Sequence, residues 1–143
     1  MRPFNRRGFT LIEILLVVGI IGMLAAMVVP RLGGRSEQAK AAVAKVDVEA
    51  NISSALKLYE LDNGTFPTTD QSLEALIRKP TTGPAPKNWN GPYLDKEPVD
   101  PWGKKYQYQF PGTHGKSYDL FSFGPKEKDE KGRITNWGNE PKP

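Results

Sequence analysis

The chain has no cysteine among its 143 residues. That excludes a disulfide framework, a thiolate metal site and a cysteine nucleophile. Any domain outside the cytoplasm must be held by packing, or by an ion. Histidine is nearly missing too: His114 stands alone, in the Gly-flanked turn "PGTHGK", where a solvated residue is expected rather than a general base. There is no nucleophile motif, no phosphate loop and no carboxylate pair beyond what a solvated charged face provides. Asp100, in "DPWG", reads as a turn former. The sequence therefore reads as a protein that is not an enzyme. A basic face is also lacking. The formal charge is +4, but Arg2, Arg6 and Arg7 fall in the first eight residues, and the rest is within about one charge of neutral. The remaining charges alternate in sign, as in "KEKDEKGR", so no electrostatic case for nucleic acid exists.

What the chain does have is one concentrated apolar run. Mean hydropathy is −0.52 overall, yet Phe9 to Val29 are 21 residues with a single charge, Glu13. Roughly 20 apolar residues cross a bilayer. Basic residues before the run and polar ones after it place 1–8 in the cytoplasm and 35–143 outside. The run is too long for the h-region of a cleaved secretory signal, and no Ala-x-Ala site ends it. A central acid costs roughly 2.5–3.5 kcal/mol on insertion scales; a plain anchor has no use for one. Gly19 and Gly22 lack small-xxx-small spacing and read as flexible, closely packing positions.

Beyond the run the pattern is α+β. Helical spacing continues to Asp62, interrupted at Pro30, which removes a helix hydrogen bond and kinks or melts its turn, and at Gly33–Gly34. Ala39, Val43, Val46, Ala50, Leu58 and Leu61 form a stripe, widened by Val48, Ile52, Leu56 and Tyr59. Asn63–Gly64 stops the helix. A short helix follows, with Leu73, Leu76 and Ile77 on one face, a cap at Thr69 or Asp70 and an end at Pro80. In the Pro/Gly-rich loop after it, Trp89, Tyr93, Leu94 and Trp102 read as anchors for the loop, in preference to a sugar or peptide site. "KYQYQF" alternates as a half-buried strand. "SYDLFSF" is its antiparallel partner, and Ile134 to Trp137 form a last short strand. The segments are 1–8, a basic leader; 9–29, a transmembrane helix; 30–62, its continuation; and 63–143, a globular region with 14 Gly and 13 Pro in the whole chain to serve its turns.

"RRGFTLIE" resembles the class III signal of type IV pilins and of the pseudopilins of type II secretion. "FPTTDQSLEALIRKPT", "PKNWNGPYLDKEPVDPWGKKYQY" and "YDLFSFG" resemble the major pseudopilin family, so the likeness covers nearly the whole chain. Type IV pilins usually carry a C-terminal cysteine pair, which is missing here. The resemblance implies a type IV pilin-like fold, with a long N-terminal helix packed on a small antiparallel sheet. It implies cleavage between Gly8 and Phe9 by a prepilin peptidase that then methylates the Phe9 amine. It also implies pairing of Glu13 with the Phe9 amine of a neighbouring copy. Physics agrees with that pairing: cleavage creates an ammonium, and a carboxylate in apolar surroundings needs a cation or it neutralises. The implied function is a subunit of a periplasmic filament acting as a piston or screw in the export of folded proteins. The implied partners are further copies, minor pseudopilins, the peptidase and the inner-membrane secretion platform. The alternatives are a type IV pilin or minor pseudopilin, or a single-pass membrane-anchored binding module contacting ligand through Trp89 and Trp102.

One departure concerns calcium, which the resemblance implies in the loop after the second strand. "FGPKEKDEKGRITNW" is shorter than that pattern, with Lys126 where a first Asp is expected. Calcium takes 6–8 oxygens, and only Glu127, Asp129 and Glu130 are near. The expectation is that the metal ligands are lost and that a lysine–carboxylate contact, or shortening alone, closes the loop. The other reading is a weak site at Asp129 and the Phe123 carbonyl.

Overall fold

A computed structural model describes residues 8–126 and 130–138, without the side chains of 28–33 and of 131. The chain divides into two compact units, Met1–Glu37 and Gln38–Pro143.

Helix α1 covers Leu11–Val46, and helix α2 covers Ile52–Asn63. α1 is continuous through Pro30 and Gly33–Gly34, so the expected interruption there is not a break in the helix. The departure from α geometry comes later, as one π-helical turn at Asp47–Asn51. Such turns are rare and need local support. Here the Ser53 hydroxyl donates to the Val48 carbonyl at 2.6 Å, and Tyr118 donates to Ser53 at 2.8 Å. Tyr106 donates to Asp47 at 2.8 Å. Burial, with the Asp47 carboxylate behind it, pushes the Tyr106 hydroxyl up, so it stays a donor. α2 ends as its sequence predicts: Gly64 adopts φ 79°, and its N–H donates to the Glu60 carbonyl at 2.7 Å.

The buried face is not the stripe that the spacing put first. Val48, Ile52, Ala55, Leu56 and Tyr59 are the helical part of the core, whereas Val43, Val46, Leu58 and Leu61 are exposed. The helix is apolar on two faces, and periodicity cannot rank them; the π turn then sets which one meets the sheet. Against the buried face pack Phe66, Leu73, Leu76, Tyr106, Tyr118 and Leu120. Phe66 and Tyr118 meet edge-on with ring centres 4.9 Å apart.

The sheet has three antiparallel strands in the order β1 (Gln107–Gln109), β2 (Asp119–Ser122), β3 (Ile134–Thr135). Tyr108 lies opposite Leu120, and Phe121 opposite Thr135. In β2 Leu120 and Ser122 are buried and Phe121 is half-buried, while Asp119, of the same parity as Phe121, is buried at the hairpin turn. The expected short helix is a 3-10 turn, Leu73–Leu76, and its cap is Ser72 rather than Thr69 or Asp70. Thr68 and Gln71 exchange bonds just before it, the Gln71 side chain accepting from Thr68 N–H and Thr68 Oγ1 accepting from Gln71 N–H.

The loops are tied by polar groups in place of disulfides. The Trp89 indole donates to the Ala75 carbonyl at 2.9 Å, and Tyr93 donates to Asp62 at 2.8 Å. Gly91 is required here, because a Cβ at this position would come within 2.5 Å of the Trp89 ring. Buried Asp100 accepts from the backbone of Trp102 and Lys104 and from Ser122 Oγ. That makes it the turn former its setting suggested. His114 differs from expectation. It is an exposed turn residue, but not an unpartnered one: it stacks on Trp137 at 4.1 Å, and its Nδ1 lies 2.8 Å from Asp119 Oδ2.

Asp119 is buried, and burial pushes its carboxyl up. The Thr113 N–H, the His114 ring and the Thr113 hydroxyl outweigh this and hold it below the usual carboxylate range. A depressed carboxylate stabilises the fold above its unfolded pKa, and that contribution is lost as pH falls through the lower folded value. Acid unfolding of Asp119→Asn will therefore show a shallower loss of stability below about pH 4 than the unaltered chain. Parallel pH profiles for the two proteins would contradict this role.

Candidate assembly site

The N-terminal site is built on the first turn of α1. Thr10 precedes the helix, and its N–H and hydroxyl both donate to Glu13 Oε2 at 2.8 Å. The Glu13 N–H donates back to Thr10 Oγ1 at 3.3 Å. This reciprocal pair is a capping box. Orphan donors at the helix start are satisfied, and the carboxylate sits at the positive end of the helix dipole. The sequence expectation for Glu13 concerned its pairing with an amine and did not include Thr10. The signal was present, as Thr-x-x-Glu directly before an apolar run.

Gly8 and Phe9 lie outside the helix and are exposed, Phe9 at 84%. Nothing lies within 4 Å of a Cβ built on Gly8. The junction between them is therefore open to another protein. The structure brings Glu13 to Thr10; no contact between Phe9 and Glu13 is found among the described residues of this uncut chain. Following them, Leu11, Ile12, Ile14 and every large apolar residue through Met27 are exposed on all sides of the helix. Gly19 and Gly22 have open surroundings, as expected of positions awaiting a close partner. Among the described residues no helix is long and apolar enough to cross a membrane; the described side chains of the run stop at Met27.

The calcium loop fares differently. Glu127 and Asp129 lie outside the described residues. Among the described ones, no three acidic or histidine side chains gather where they could hold a metal ion. Glu130 faces Arg133, with 3.5 Å between Oε1 and Nη1. Of the three carboxylates near the loop, the described one, Glu130, is engaged with Arg133.

A capped apolar helix behind an open Gly–Phe junction, together with a helix-on-sheet unit, defines the class: a type IV pilin-like subunit. Comparison with known proteins is specific. Residues 3–29 match the prokaryotic N-terminal methylation motif, and residues 31–137 match the family of type II secretion system protein G. The type II secretion system core protein G of Pseudomonas aeruginosa is 53% identical over 144 residues, spanning 97% of this chain and 100% of that protein. Its namesake in Escherichia coli K12 is 47% identical over 94% of this chain and 92% of its own length. The crystal structure of the major pseudopilin of enterohaemorrhagic Escherichia coli superposes with a TM-score of 0.66 at 38% identity, covering 76% of this chain and 93% of that one. The chain belongs to the type II secretion system core protein G family, the major pseudopilins. This is a family of structural subunits and not a known enzyme family.

Thr10→Ala removes one half of the capping box, worth roughly 0.5–2 kcal/mol at a helix start. In the full chain in detergent micelles, amide exchange at Glu13 and Ile14 will speed up from about twofold to about thirtyfold. Unchanged exchange would show that the box does not hold this terminus.

Proposed function

We propose that this chain is the repeating subunit of a periplasmic pseudopilus, polymerising through its N-terminal helix to drive folded proteins across the outer membrane. The observation that carries the proposal is the fully exposed apolar surface from Phe9 to Met27. At roughly 25 cal/mol per Å2, leaving it in water is costly, so lipid must cover it first and neighbouring helices afterwards.

The steps follow from the residues. The chain enters the inner membrane once, with its N-terminus in the cytoplasm and its C-terminal region in the periplasm. A prepilin peptidase cuts between Gly8 and Phe9 and methylates the new Phe9 amine. That amine is the cation which Glu13 of an adjacent copy needs. Glu13 already spends Oε2 on Thr10; Oε1 is the oxygen offered to the neighbour. A pair of this kind fixes how far one helix is displaced along the next. Pro30 supplies no helical N–H, so it is where the helix kinks on packing into a filament. Minor pseudopilins and the inner-membrane platform are the other partners, and the chain contributes no catalysis of its own. The binding-module alternative draws no support from Trp89, whose indole N–H is spent on the Ala75 carbonyl.

Co-expression with a prepilin peptidase, followed by mass spectrometry of the N-terminus, tests the processing step. A methylated Phe9 is expected, and an intact Met1 would sink the proposal. Glu13→Ala will abolish filaments or put them out of register while Gln38–Pro143 stays folded. Normal filaments from that variant would remove the role given to Glu13.

A further inference from the structure

The outer face of the sheet carries a row of flat groups. His114 stacks on Trp137, with 7° between planes. Trp137 meets Phe121 edge-on, ring centres 5.7 Å apart, and Phe121 meets Phe123 at 5.3 Å and 87°. The Arg133 guanidinium closes the row, 5.5 Å from the Phe121 ring centre and 5.4 Å from that of Phe123. Its Nη1 lies 3.5 Å from the Glu130 carboxylate. Its Nε is buried and has no hydrogen-bond partner among the described residues, so on that side the cation rests on ring faces. The two ends of the loop also touch. Gly124, at φ 71°, lies so close to the Gly132 carbonyl that a Cβ would strike it. Arg133 follows directly, its N–H donating to the Glu130 carbonyl at 3.3 Å.

This arrangement bears on the calcium expectation. A bound cation in such a loop would draw the segment 123–133 onto the sheet by gathering oxygens. Here the segment supplies a cation of its own, attached to the backbone at the point where the loop returns. A guanidinium is planar, permanently charged and weakly hydrated, which suits it to stacking on rings. It also repels a second cation placed beside it, most strongly where water is excluded. Most of the groups in the lysine–carboxylate closure expected from the sequence lie outside the described residues; among the described ones the cation is Arg133, held by two phenylalanines and one glutamate.

We propose that Arg133 is the built-in cation of this loop: seated on the Phe121 and Phe123 rings and facing Glu130, it fastens Glu130–Arg133 to the sheet edge, and no divalent ion serves there. The account applies to the globular unit and does not depend on the filament reading.

The test is thermal unfolding of the full chain in detergent micelles, in calcium chloride and in EDTA. The unaltered protein will melt at the same temperature in both. Arg133→Gln will lower the midpoint by roughly 4–8 °C in both media, with Arg133→Lys in between. Phe123→Leu will lower it too, and adding Arg133→Gln to that variant will cost clearly less than it does alone, because the two share one contact. A midpoint raised by calcium and returned by EDTA would overturn the proposal. So would an Arg133→Gln protein that melts like the unaltered one, or strictly additive losses in the double variant. If Arg133→Gln does not fold, the calcium response of the unaltered chain and the Arg133→Lys midpoint still decide the matter.

Discussion

A helix that is apolar on every side cannot be covered by the chain that carries it. From Phe9 to Met27 the exposed side chains are almost all aliphatic or aromatic, and the one charged group among them is already turned back onto Thr10. Two environments suit such a surface, lipid and other helices like it, and the proposed function takes the chain from the first to the second. The capping box matters to both. In lipid it ties up backbone donors that would otherwise lack partners. In the proposed filament it holds the carboxylate at the helix tip, for a neighbour's amine.

Since that helix belongs to its surroundings, the globular unit has to be stable without it and without disulfides. It uses buried acids as hubs. Asp100 gathers the turn after Val99 and the Ser122 hydroxyl of β2; Asp119 gathers the hairpin turn through Thr113 and His114. Tyrosines do the same between layers, with Tyr106 and Tyr118 reaching Asp47 and Ser53 on the helix. A buried carboxylate is costly when unpaired. Each of these is surrounded by donors, which turns a liability into a fixed geometry.

Local features were readable in the sequence. The apolar run, the Asn63–Gly64 stop, the alternating strand at 105–110 and the antiparallel hairpin all follow from short-range physics, and the structure has them. The signal at Gly8, Phe9 and Glu13 was readable because it is a contiguous string. What escaped reading depends on distant partners. The π turn at Asp47–Asn51 leans on Tyr106 and Tyr118, far along the chain, and so did the choice between two apolar helix faces. The partners of His114 went unread because nothing near it in sequence announces Trp137. Arg133 gave no sign of its place, since its rings lie across the loop on β2 and just beyond. Thr10 is the exception: its box is local, a Thr-x-x-Glu string directly before an apolar run.

The central claim is that the amine freed at Phe9 and the carboxylate of Glu13 meet between copies. Cryo-electron microscopy of filaments assembled from the processed chain measures that contact directly. The account predicts the Phe9 nitrogen of one subunit within about 3 Å of Glu13 Oε1 on the next, with Thr10 still bonded to Oε2. A filament in which Glu13 touches only its own chain, while the Phe9 amine lies against lipid-like apolar surface or solvent, would contradict it.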